Sequence, residues 1–597
     1  MWLLGLILSV SALIGTSIIS VAVNSSNYVK KHKFSLFHAL FVAVVIASFL
    51  MLFPVNLASE DFSLWGACKA LLLSVFHTMQ VMTAGCEFSV VTDAIVLCDS
   101  KELALAYQIW ASVLYVLAPV FSFGFVLSLF KNITANAKYR RAYFRDVFVF
   151  SELNEKSLIL ASDVKKHHKK AAIVFTDVFD GNEESTFELM EEAKKLRAIC
   201  FKNDILAVNF HKHSEKTSIS FFTIGANETE NINQSIKLIE RYKNRDKTHV
   251  YVFSTKAESE ILLSSADKGQ VKVRRINEVV SLINRTLYEH GEILFESARP
   301  NAKGSKDISA VVVGMGRHGT EMVKALAWFG QMDGYRLEIH AFDRDPLAEE
   351  KFMALAPELM SEEYNGVAVD GEAQYHIHVH PGMDVDTISF ARMISEIRNA
   401  TYVLVALGND DINIRTAINL RMYFERVKAN PVIQAIVYDS RQKNAMQDVR
   451  NFKGQEYRIE FIGDLESSFT EDVIIDSALE EEALERHLKW GKEEEFWKYE
   501  YNYRSSVASA IHMRARIKCS IPGADKKEEE LTEQERETLE TLEHKRWNAY
   551  MRAEGYVFSG SKDKSSRNDL AKMHHDLVTY DALSDEEKRK DSAIGAK

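Results

Sequence analysis

Hydrophobic residues are concentrated in the first 130 positions, in three long runs that contain no Asp, Glu, Lys or Arg. These runs are residues 2–23, 34–59 and 103–130. Each is long enough to cross about 30 Å of hydrocarbon as an α-helix. The pattern therefore predicts three membrane-spanning helices in a domain at residues 1–130. The alternative for the first run is a signal peptide, although the basic N-terminal region of a signal peptide is missing.

A fourth apolar stretch, residues 64–91, carries the polar side chains Lys69, His77, Gln80 and Glu87. As a complete fourth span it would place the rest of the chain outside the cell. A re-entrant segment, which enters the membrane and returns to the same side, fits better. Irregular backbone at that depth is tolerated where it lines a water-filled cavity. The alternatives for this stretch are an amphipathic helix on the membrane surface and a packing hairpin without conduction.

Positively charged residues flank the predicted spans on one side of the membrane. They are Lys30, Lys31 and Lys33 before the second run, and Lys131, Lys138, Arg140, Arg141 and Arg145 after the third. Such clusters mark cytoplasmic segments. We therefore expect a multi-pass protein of the cell (inner) membrane with its N-terminus outside. Residues 131–144 form a basic linker in this scheme, and residues 131–597 are cytoplasmic.

Charge density divides the chain into two parts. Eleven of the first 130 residues are charged, against 146 of the other 467, and the formal net charge is −11. This contrast excludes a plain soluble enzyme, a disordered chain and a disulfide scaffold. The acidic balance argues against a nucleic-acid partner, and the five cysteines show no metal-ligand spacing. The composition indicates a domain in contact with the lipid bilayer, joined to a large soluble region.

Strand-like and helical segments alternate through residues 145–298 and again through residues 305–470. This alternation predicts two tandem α/β domains, each with a parallel, doubly wound, Rossmann-like sheet. In the first domain, the turn at residues 150–154 lacks the glycines that a dinucleotide fold requires after its opening strand. We therefore expect the first domain to be a degenerate structural copy.

The second domain carries Gly-x-Gly-x-x-Gly between an apolar strand and a helix. Such glycines let the backbone approach a phosphate at the helix N-terminus. An acid at the end of the next strand stands where ribose hydroxyls bind, and a Gly-Asn pair ends a later strand in the same cleft. The candidate nucleotide-binding residues are Gly314, Gly316, Arg317, Gly319, Asp343, Gly408 and Asn409.

The ligand expected in this cleft is NAD(H) or another adenine nucleotide, acting as a regulator. The sequence shows no nearby His, Ser and Tyr set for hydride transfer, so no catalytic residue is assigned and an enzyme is not expected. A nucleotide-binding fold does not by itself imply redox chemistry. The alternative is a fold whose glycines only pack the helix against the strand.

The C-terminal part comprises a charged helical linker at residues 471–530 and a small, mostly helical module at residues 531–597. The module contains aromatic side chains beside Arg, Lys and His, which can form a pocket for a planar anionic ligand through stacking and charge. The candidate pocket residues are Arg546, Trp547, Tyr556, Lys572 and His574. The sequence Leu-Glu-His-Lys-Arg-Trp at residues 542–547, with Leu-Ser-Asp-Glu-Glu at residues 583–587, is similar to the RyR domain, the repeat named after ryanodine receptors.

Two further resemblances concern the membrane and α/β parts. The turn that contains Thr78, Thr83, Gly85 and Glu87 resembles the pore loops of potassium channels and of Trk/Ktr-type transporters. Glycine permits backbone angles that point carbonyl groups at an ion, and an acidic ring concentrates cations. The two tandem folds resemble the RCK (TrkA-N) domains that regulate such channels and transporters.

Together the resemblances imply a ligand-gated channel for monovalent cations, with potassium as a candidate ion. Nucleotide-type ligands would bind the RCK and RyR domains, and a homotetramer is favoured because four pore loops would complete a filter. Two other functions stay open. One is a membrane-anchored sensor or defence effector of nucleotide signals without selective conduction. The other is a membrane-tethered NAD-dependent enzyme, which has the least support.

Overall fold

The structure is a computed structural model, and it consists of two compact units, Met1–Arg140 and Arg141–Lys597. It describes the whole chain except residues 26–35, 62, 131–132, 179–183, 211–212, 362–373, 448–450, 453, 476 and 596–597. Four of the basic residues that suggested the membrane orientation lie outside the described residues; they are Lys30, Lys31, Lys33 and Lys131.

The N-terminal unit is helical. Its elements are α1 (Trp2–Ser25), α2 (Leu36–Ala58), α3 (Leu64–Met82), α4 (Ser89–Ile95), α5 (Lys101–Phe130) and α6 (Ile133–Arg141). Among the described residues, two segments are long and apolar enough to cross a membrane, Leu40–Ala58 and Lys101–Val126, and Trp2–Ile18 is a shorter apolar helix. All three predicted runs are therefore helical, and two of them contain a candidate span among the described residues.

Close contacts hold α1 against its neighbours in this unit. Trp110 on α5 donates a hydrogen bond from its indole to the Ser9 hydroxyl (2.8 Å), which donates to the Ala47 carbonyl on α2 (2.7 Å). A Cβ at Gly5 would lie 2.4 Å from Cγ of Pro54, so glycine is what allows the two helices to touch there. Ser9 and Trp110 thus satisfy their polar groups inside the unit, as buried polar groups require.

The first part of the second unit is a six-stranded parallel sheet. Its strands are β1 (Val147–Phe150), β2 (Ala172–Phe175), β3 (Ile199–Cys200), β4 (Ile219–Thr223), β5 (Thr248–Phe253) and β6 (Lys272–Ile276). They are ordered β3-β2-β1-β4-β5-β6, which is the strand order of Rossmann folds. The accompanying helices are α7 (Glu155–His167), α8 (Glu184–Lys195), α9 (Glu228–Tyr242), α10 (Glu258–Ser264), α11 (Glu278–His290) and α12 (Ile293–Glu296).

The second sheet repeats this topology. Its parallel strands are β8 (Lys306–Val313), β9 (Tyr335–Phe342), β10 (Tyr375–His380), β11 (Ala400–Val405), β12 (Val432–Ile436) and β15 (Ile459–Ile462), with β7 (Arg299–Pro300) added antiparallel to β8 and a small hairpin of β13 (Asn451–Phe452) and β14 (Gln455–Glu456). The order β10-β9-β8-β11-β12-β15 again matches a Rossmann fold. The helices are α13 (Arg317–Phe329), α14 (Ala348–Leu355), α15 (Ile388–Glu396), α16 (Asp410–Arg426) and α17 (Ser440–Gln447). The prediction of two parallel α/β sheets is confirmed.

A buried asparagine joins the ends of two strands in each sheet. Asn413 on α16 accepts a hydrogen bond from the N–H of Leu407 and donates one to the carbonyl of Ile436, each at 2.7 Å. In the first sheet, Asn231 accepts from the N–H of Gly225 and donates to the last carbonyl of β5, each at 2.9 Å. An asparagine therefore satisfies equivalent backbone groups in both domains, at the point where the parallel strands end and their inter-strand hydrogen bonds stop.

The C-terminal region packs against both sheets. Its elements are α18 (Leu465–Ser468), α19 (Glu471–Ile474), α20 (Ala478–His487), α21 (Glu493–Lys498), α22 (Glu500–Lys518), α23 (Glu533–Ala553), β16 (Val557–Phe558), β17 (Met573–His574) and α24 (Asp585–Gly595), with short 3-10 turns at Glu528–Glu530, Lys564–Ser566 and Tyr580–Ala582. Residues of α22 and α23 belong to the same hydrophobic core as β8, β9 and α13.

Within the segment expected to be a charged linker, α22 is largely buried. On α22, Arg516 is fully buried and pairs with Glu543 on α23 (2.5 Å). Ion pairs also join this region to the first sheet. One of them is formed by Arg274 on β6 and Glu480 on α20 (2.5 Å). The number of charged residues suggested that these helices are exposed to solvent. Because the charges are paired with one another, the helices can be buried.

We expect Asn413→Asp to lower the free energy of unfolding of the soluble region by about 2 kcal/mol. The substitution keeps an acceptor for the Leu407 N–H but removes the donor to the Ile436 carbonyl. Chemical denaturation of the purified chain measures the effect. The same change at Asn419, farther along α16, is the control. An equal effect at both positions would show that the strand-end contact is not the cause.

Candidate functional site

The three glycines of the second domain do three different things in the turn between β8 and α13. Gly314 has a φ of +97°, and a Cβ there would lie 2.5 Å from the Ala406 carbonyl oxygen. A Cβ on Gly319 would lie 1.7 Å from the Gly314 carbonyl oxygen, so α13 packs directly on the turn. A Cβ on Gly316 would meet nothing within 4 Å. The tight turn, the close packing and the open backbone are the three roles that glycines serve in dinucleotide folds.

A cavity of about 670 Å³ opens at the carboxyl ends of β8, β9, β11 and β12. Its size falls within the range of about 300–1,000 Å³ that is usual for small-molecule sites. The cavity is lined by the predicted residues Gly314, Gly316, Arg317, Asp343, Gly408 and Asn409. Gly319 lies beneath the turn, so its role is to position α13 rather than to contact a ligand.

The Asp343 carboxylate is held in place by the backbone of the cleft. One oxygen accepts from the Met315 N–H (2.6 Å) and the other from the Asp345 N–H (2.7 Å). An ionised carboxylate can accept about four hydrogen bonds, which leaves capacity for ribose hydroxyls. Asn409 caps α16 through the Ile412 N–H (3.0 Å), and this helix also begins at the cleft.

The structure adds two cleft residues that the sequence did not suggest, His318 and Tyr438. The Tyr438 hydroxyl lies 3.3 Å from Nε2 of His318. Burial, together with the charge of Arg317, lowers the pKa of His318 to about 4, so its imidazole is neutral at physiological pH. His318 and Tyr438 are far apart in the sequence, so their contact could not be predicted from it. The position of Tyr438 just after a buried strand is the one signal that could have placed Tyr438 at the cleft.

The corresponding turn of the first domain is occupied by its own side chains. Asn154 caps α7 by accepting from the Ser157 N–H (2.9 Å) and also donates to the Ile224 carbonyl (2.9 Å). Glu152 places a carboxylate oxygen 3.3 Å from the Ala226 nitrogen, which donates to it. A carboxylate at this point repels a phosphate. This arrangement agrees with the expectation of a degenerate copy.

A second, smaller cavity of about 140 Å³ lies between the C-terminal module and the preceding helices α20 and α22. Three of the five predicted pocket residues line it: Arg546, Trp547 and His574. The other two lie elsewhere. Tyr556 is buried in the core shared with the second sheet, and Lys572 donates from its ammonium group to the Glu554 carbonyl (2.6 Å).

One carboxylate lies at the centre of a cationic cluster beside this cavity. Glu543 is 1% exposed and accepts hydrogen bonds from Arg516 (2.5 Å) and Arg546 (2.9 Å). Burial alone would raise the pKa of Glu543, but Arg546 and Arg516 hold it down at about 2. The sequence places Glu543 and Arg546 one helical turn apart, whereas Arg516 comes from another helix and could not have been assigned.

In the N-terminal unit, the turn between α3 and α4 brings together three of the four predicted pore residues. Thr83, Gly85 and Glu87 are exposed on this turn, and the Gly85 N–H donates to the Gln80 carbonyl (2.7 Å). Thr78 is buried earlier on α3 and donates to a carbonyl of its own helix. Six residues (83–88) separate α3 from α4.

A polar contact that the sequence did not suggest joins α2 and α3 through Asn56. Asn56 donates to the Ser74 hydroxyl (3.0 Å), and its carbonyl oxygen lies 2.9 Å from Nδ1 of His77. Asn56 falls inside an apolar run, and such a residue is a recognisable indication of a polar contact between helices. The turn itself is tied to α5, because the Tyr115 hydroxyl donates to the Cys86 sulfur (3.1 Å).

Comparison with known proteins leaves the chain without an assigned family. No protein-family model matches the sequence. No curated protein matches it as a relative.

We expect Gly316→Ala to change ligand binding and Gly319→Ala to change stability. The first adds a methyl group where the cleft is open, so the protein stays as stable as before while binding of NAD⁺ weakens by about tenfold or more. The second adds one where a Cβ would overlap the Gly314 carbonyl, so it destabilises the domain by about 1–3 kcal/mol. Thermal unfolding and equilibrium binding of NAD⁺ measure the two effects. Equal stability loss in both variants would contradict the assigned roles.

Proposed function

We propose that the chain is a cation channel of the cell membrane that is gated by an adenine nucleotide. The observation that carries this proposal is the division of roles among Gly314, Gly316 and Gly319 at the mouth of a 670 Å³ cleft. The N-terminal unit with its apolar helices would span the membrane. Residues 131–597 would be cytoplasmic, and the resemblance to RCK-regulated channels supports the link between the two parts.

The ligand proposed for the cleft is NAD(H) or a related adenine nucleotide. Asp343 is placed for ribose hydroxyls, and the open backbone at Gly316 leaves room for a phosphate at the N-terminus of α13. Arg317 is the first residue of that helix and supplies positive charge. The size of the cleft suits a dinucleotide better than a single ring.

Arg317 also contacts the first Rossmann domain, which gives the ligand a route to the rest of the protein. Its guanidinium donates to the Thr255 hydroxyl (3.4 Å), and the Thr255 N–H donates to Glu228 (2.8 Å). A ligand phosphate that attracts Arg317 competes with this contact. The bound and free states then differ in their contacts, and such a difference is what gating by a ligand requires.

The proposed conduction path is formed by the turn between α3 and α4, with copies of the chain around an axis. A tetramer is the assembly that this arrangement favours, and monovalent cations, potassium among them, are the proposed ions. Glu87 is exposed on the turn, where a ring of carboxylates would concentrate cations. Gly85 and Thr83 would provide the narrow part of the path.

We expect potassium flux into liposomes that contain the purified chain to fall by about tenfold in Glu87→Gln and in Gly85→Ala. A Cβ at Gly85 would meet nothing closer than 3.6 Å in the single chain, so the second variant folds and its flux reports on the path. Glu102→Gln, at an exposed carboxylate outside the turn, is the control. The response of flux to NAD⁺ should disappear in Gly316→Ala.

Flux that survives both changes in the turn would favour a sensor or effector without selective conduction. A membrane-tethered nicotinamide-dependent enzyme is a second candidate, because His318 and Tyr438 form a neutral pair in the cleft, 3.3 Å apart. Such a pair can pass a proton. If this candidate is correct, a hydride passes from a reduced nicotinamide to the carbonyl carbon of a substrate while Tyr438 gives its proton to the carbonyl oxygen, and Tyr438→Phe abolishes that turnover. Gating with no turnover would exclude it.

A further inference from the structure

We propose that the 140 Å³ cavity of the C-terminal module is a second ligand site, which takes a planar aromatic ring bearing one phosphate group. The cavity is formed by residues of α20, α22, α23, α24 and the loops between them. It shares no lining residue with the Rossmann cleft. The inference therefore does not rest on the proposed channel function or on the ligand of that cleft.

The strongest indication of a ligand is the positive charge of one buried guanidinium group in the wall. Arg546 is 2% exposed and lines the cavity. Its Nε and Nη2 groups both donate to Glu543, whereas Nη1 makes no hydrogen bond within the described part of the chain. A buried charged donor that lacks a partner costs about 1–3 kcal/mol or more. Because Arg516 and Arg546 share the single carboxylate of Glu543, this side of the cavity keeps a net positive charge, which favours an anion.

The acidic residues around the cavity are already engaged with cations of the module. Asp591 pairs with His544 (3.1 Å), and Glu587 pairs with Lys590 (2.7 Å). Lys564 stands 70% exposed, and its nearest carboxylate oxygen is 3.8 Å away. Lys564 can therefore turn toward a ligand at small cost.

The remaining walls suit a flat ring. Trp490, Tyr501 and Trp547 line the cavity together with His574. The Trp547 and His574 rings meet edge to face with centroids 5.0 Å apart. The His574 ring adds a further flat surface to the wall. Stacking on aromatic side chains is worth about 1–3 kcal/mol per base.

The volume limits the size of the ligand. A water molecule needs roughly 10–15 Å³ measured in this way, so a cavity of 140 Å³ holds about ten waters. That is room for about ten non-hydrogen atoms, so a ring or a phosphate group fits inside, and the rest of a mononucleotide such as AMP would extend through the open side of the cavity. A dinucleotide, which the Rossmann cleft can accept, is too large.

The wall also contains a group of possible metal ligands, which gives the test a competing outcome. The side chains of His574, His575 and Asp576 place ligand atoms within 4.8 Å of one another. However, Nδ1 of His574 accepts the Asp576 N–H (3.1 Å), and the Asp576 carboxylate lies 3.3 Å from Nε2 of His575. These internal contacts compete with a metal, so we favour the anionic ligand.

The test is equilibrium binding of AMP, adenosine and inorganic phosphate to the full chain in detergent, in the Gly316→Ala background that weakens the Rossmann cleft. We expect AMP to bind at least about tenfold more tightly than adenosine or phosphate alone, because ring and phosphate both contribute. Arg546→Gln should weaken AMP binding by about tenfold or more. Lys564→Gln should weaken it by about threefold, and the exposed Lys562→Gln, which does not line the cavity, should leave it unchanged.

Because Arg546 is buried beside Glu543, its variant is checked by thermal unfolding, and Lys564→Gln serves as the variant that folds normally. Equal binding of AMP and adenosine would overturn the proposal. So would AMP binding that is the same in Lys564→Gln and Lys562→Gln. Binding of Zn²⁺ without any binding of AMP would assign the cavity to a metal instead.

Discussion

The Rossmann cleft depends on the contact between α13 and the turn that precedes it. A helix can present its first N–H groups to a ligand only if no side chain holds it away from the strand. Gly319 meets this condition because it has no side chain. Even a Cβ at this position would overlap the Gly314 carbonyl oxygen. The open backbone at Gly316 and the position of Arg317 both follow from that approach, and the Asp343 carboxylate is anchored to the same turn through Met315.

The two α/β domains show how one topology can keep a site in one copy and fill it in the other. Both have the same strand order, and a buried asparagine, Asn231 or Asn413, joins the ends of neighbouring strands in each. They differ at the first turn. Where the second domain has glycines, the first has Glu152 and Asn154, which satisfy the free backbone groups themselves. Sheet architecture and ligand binding are therefore separable, because they rest on different residues.

In the C-terminal region, a highly charged composition coexists with burial. Its many charged residues suggest a solvated segment, yet α22 and α23 form part of the core of the second domain. Charged side chains can be buried there because they are paired, with Glu543 serving both Arg516 and Arg546. Such an arrangement gains little stability over an apolar core. It leaves strong hydrogen-bond donors beside a cavity, which is a setting suited to recognition of an anion.

The sequence by itself determined the three long apolar helices of the N-terminal unit, the two parallel sheets and the glycine turn at Gly314, because these follow from local periodicity and from residues close together in the chain. It could not determine that Thr78 is buried away from Thr83, or that Tyr556 and Lys572 lie outside the C-terminal cavity. The contact of His318 with Tyr438, and that of Arg516 with Glu543, were decided by the tertiary structure. Those contacts join segments that are distant in sequence, and only the packing of the sheets and helices brings them together.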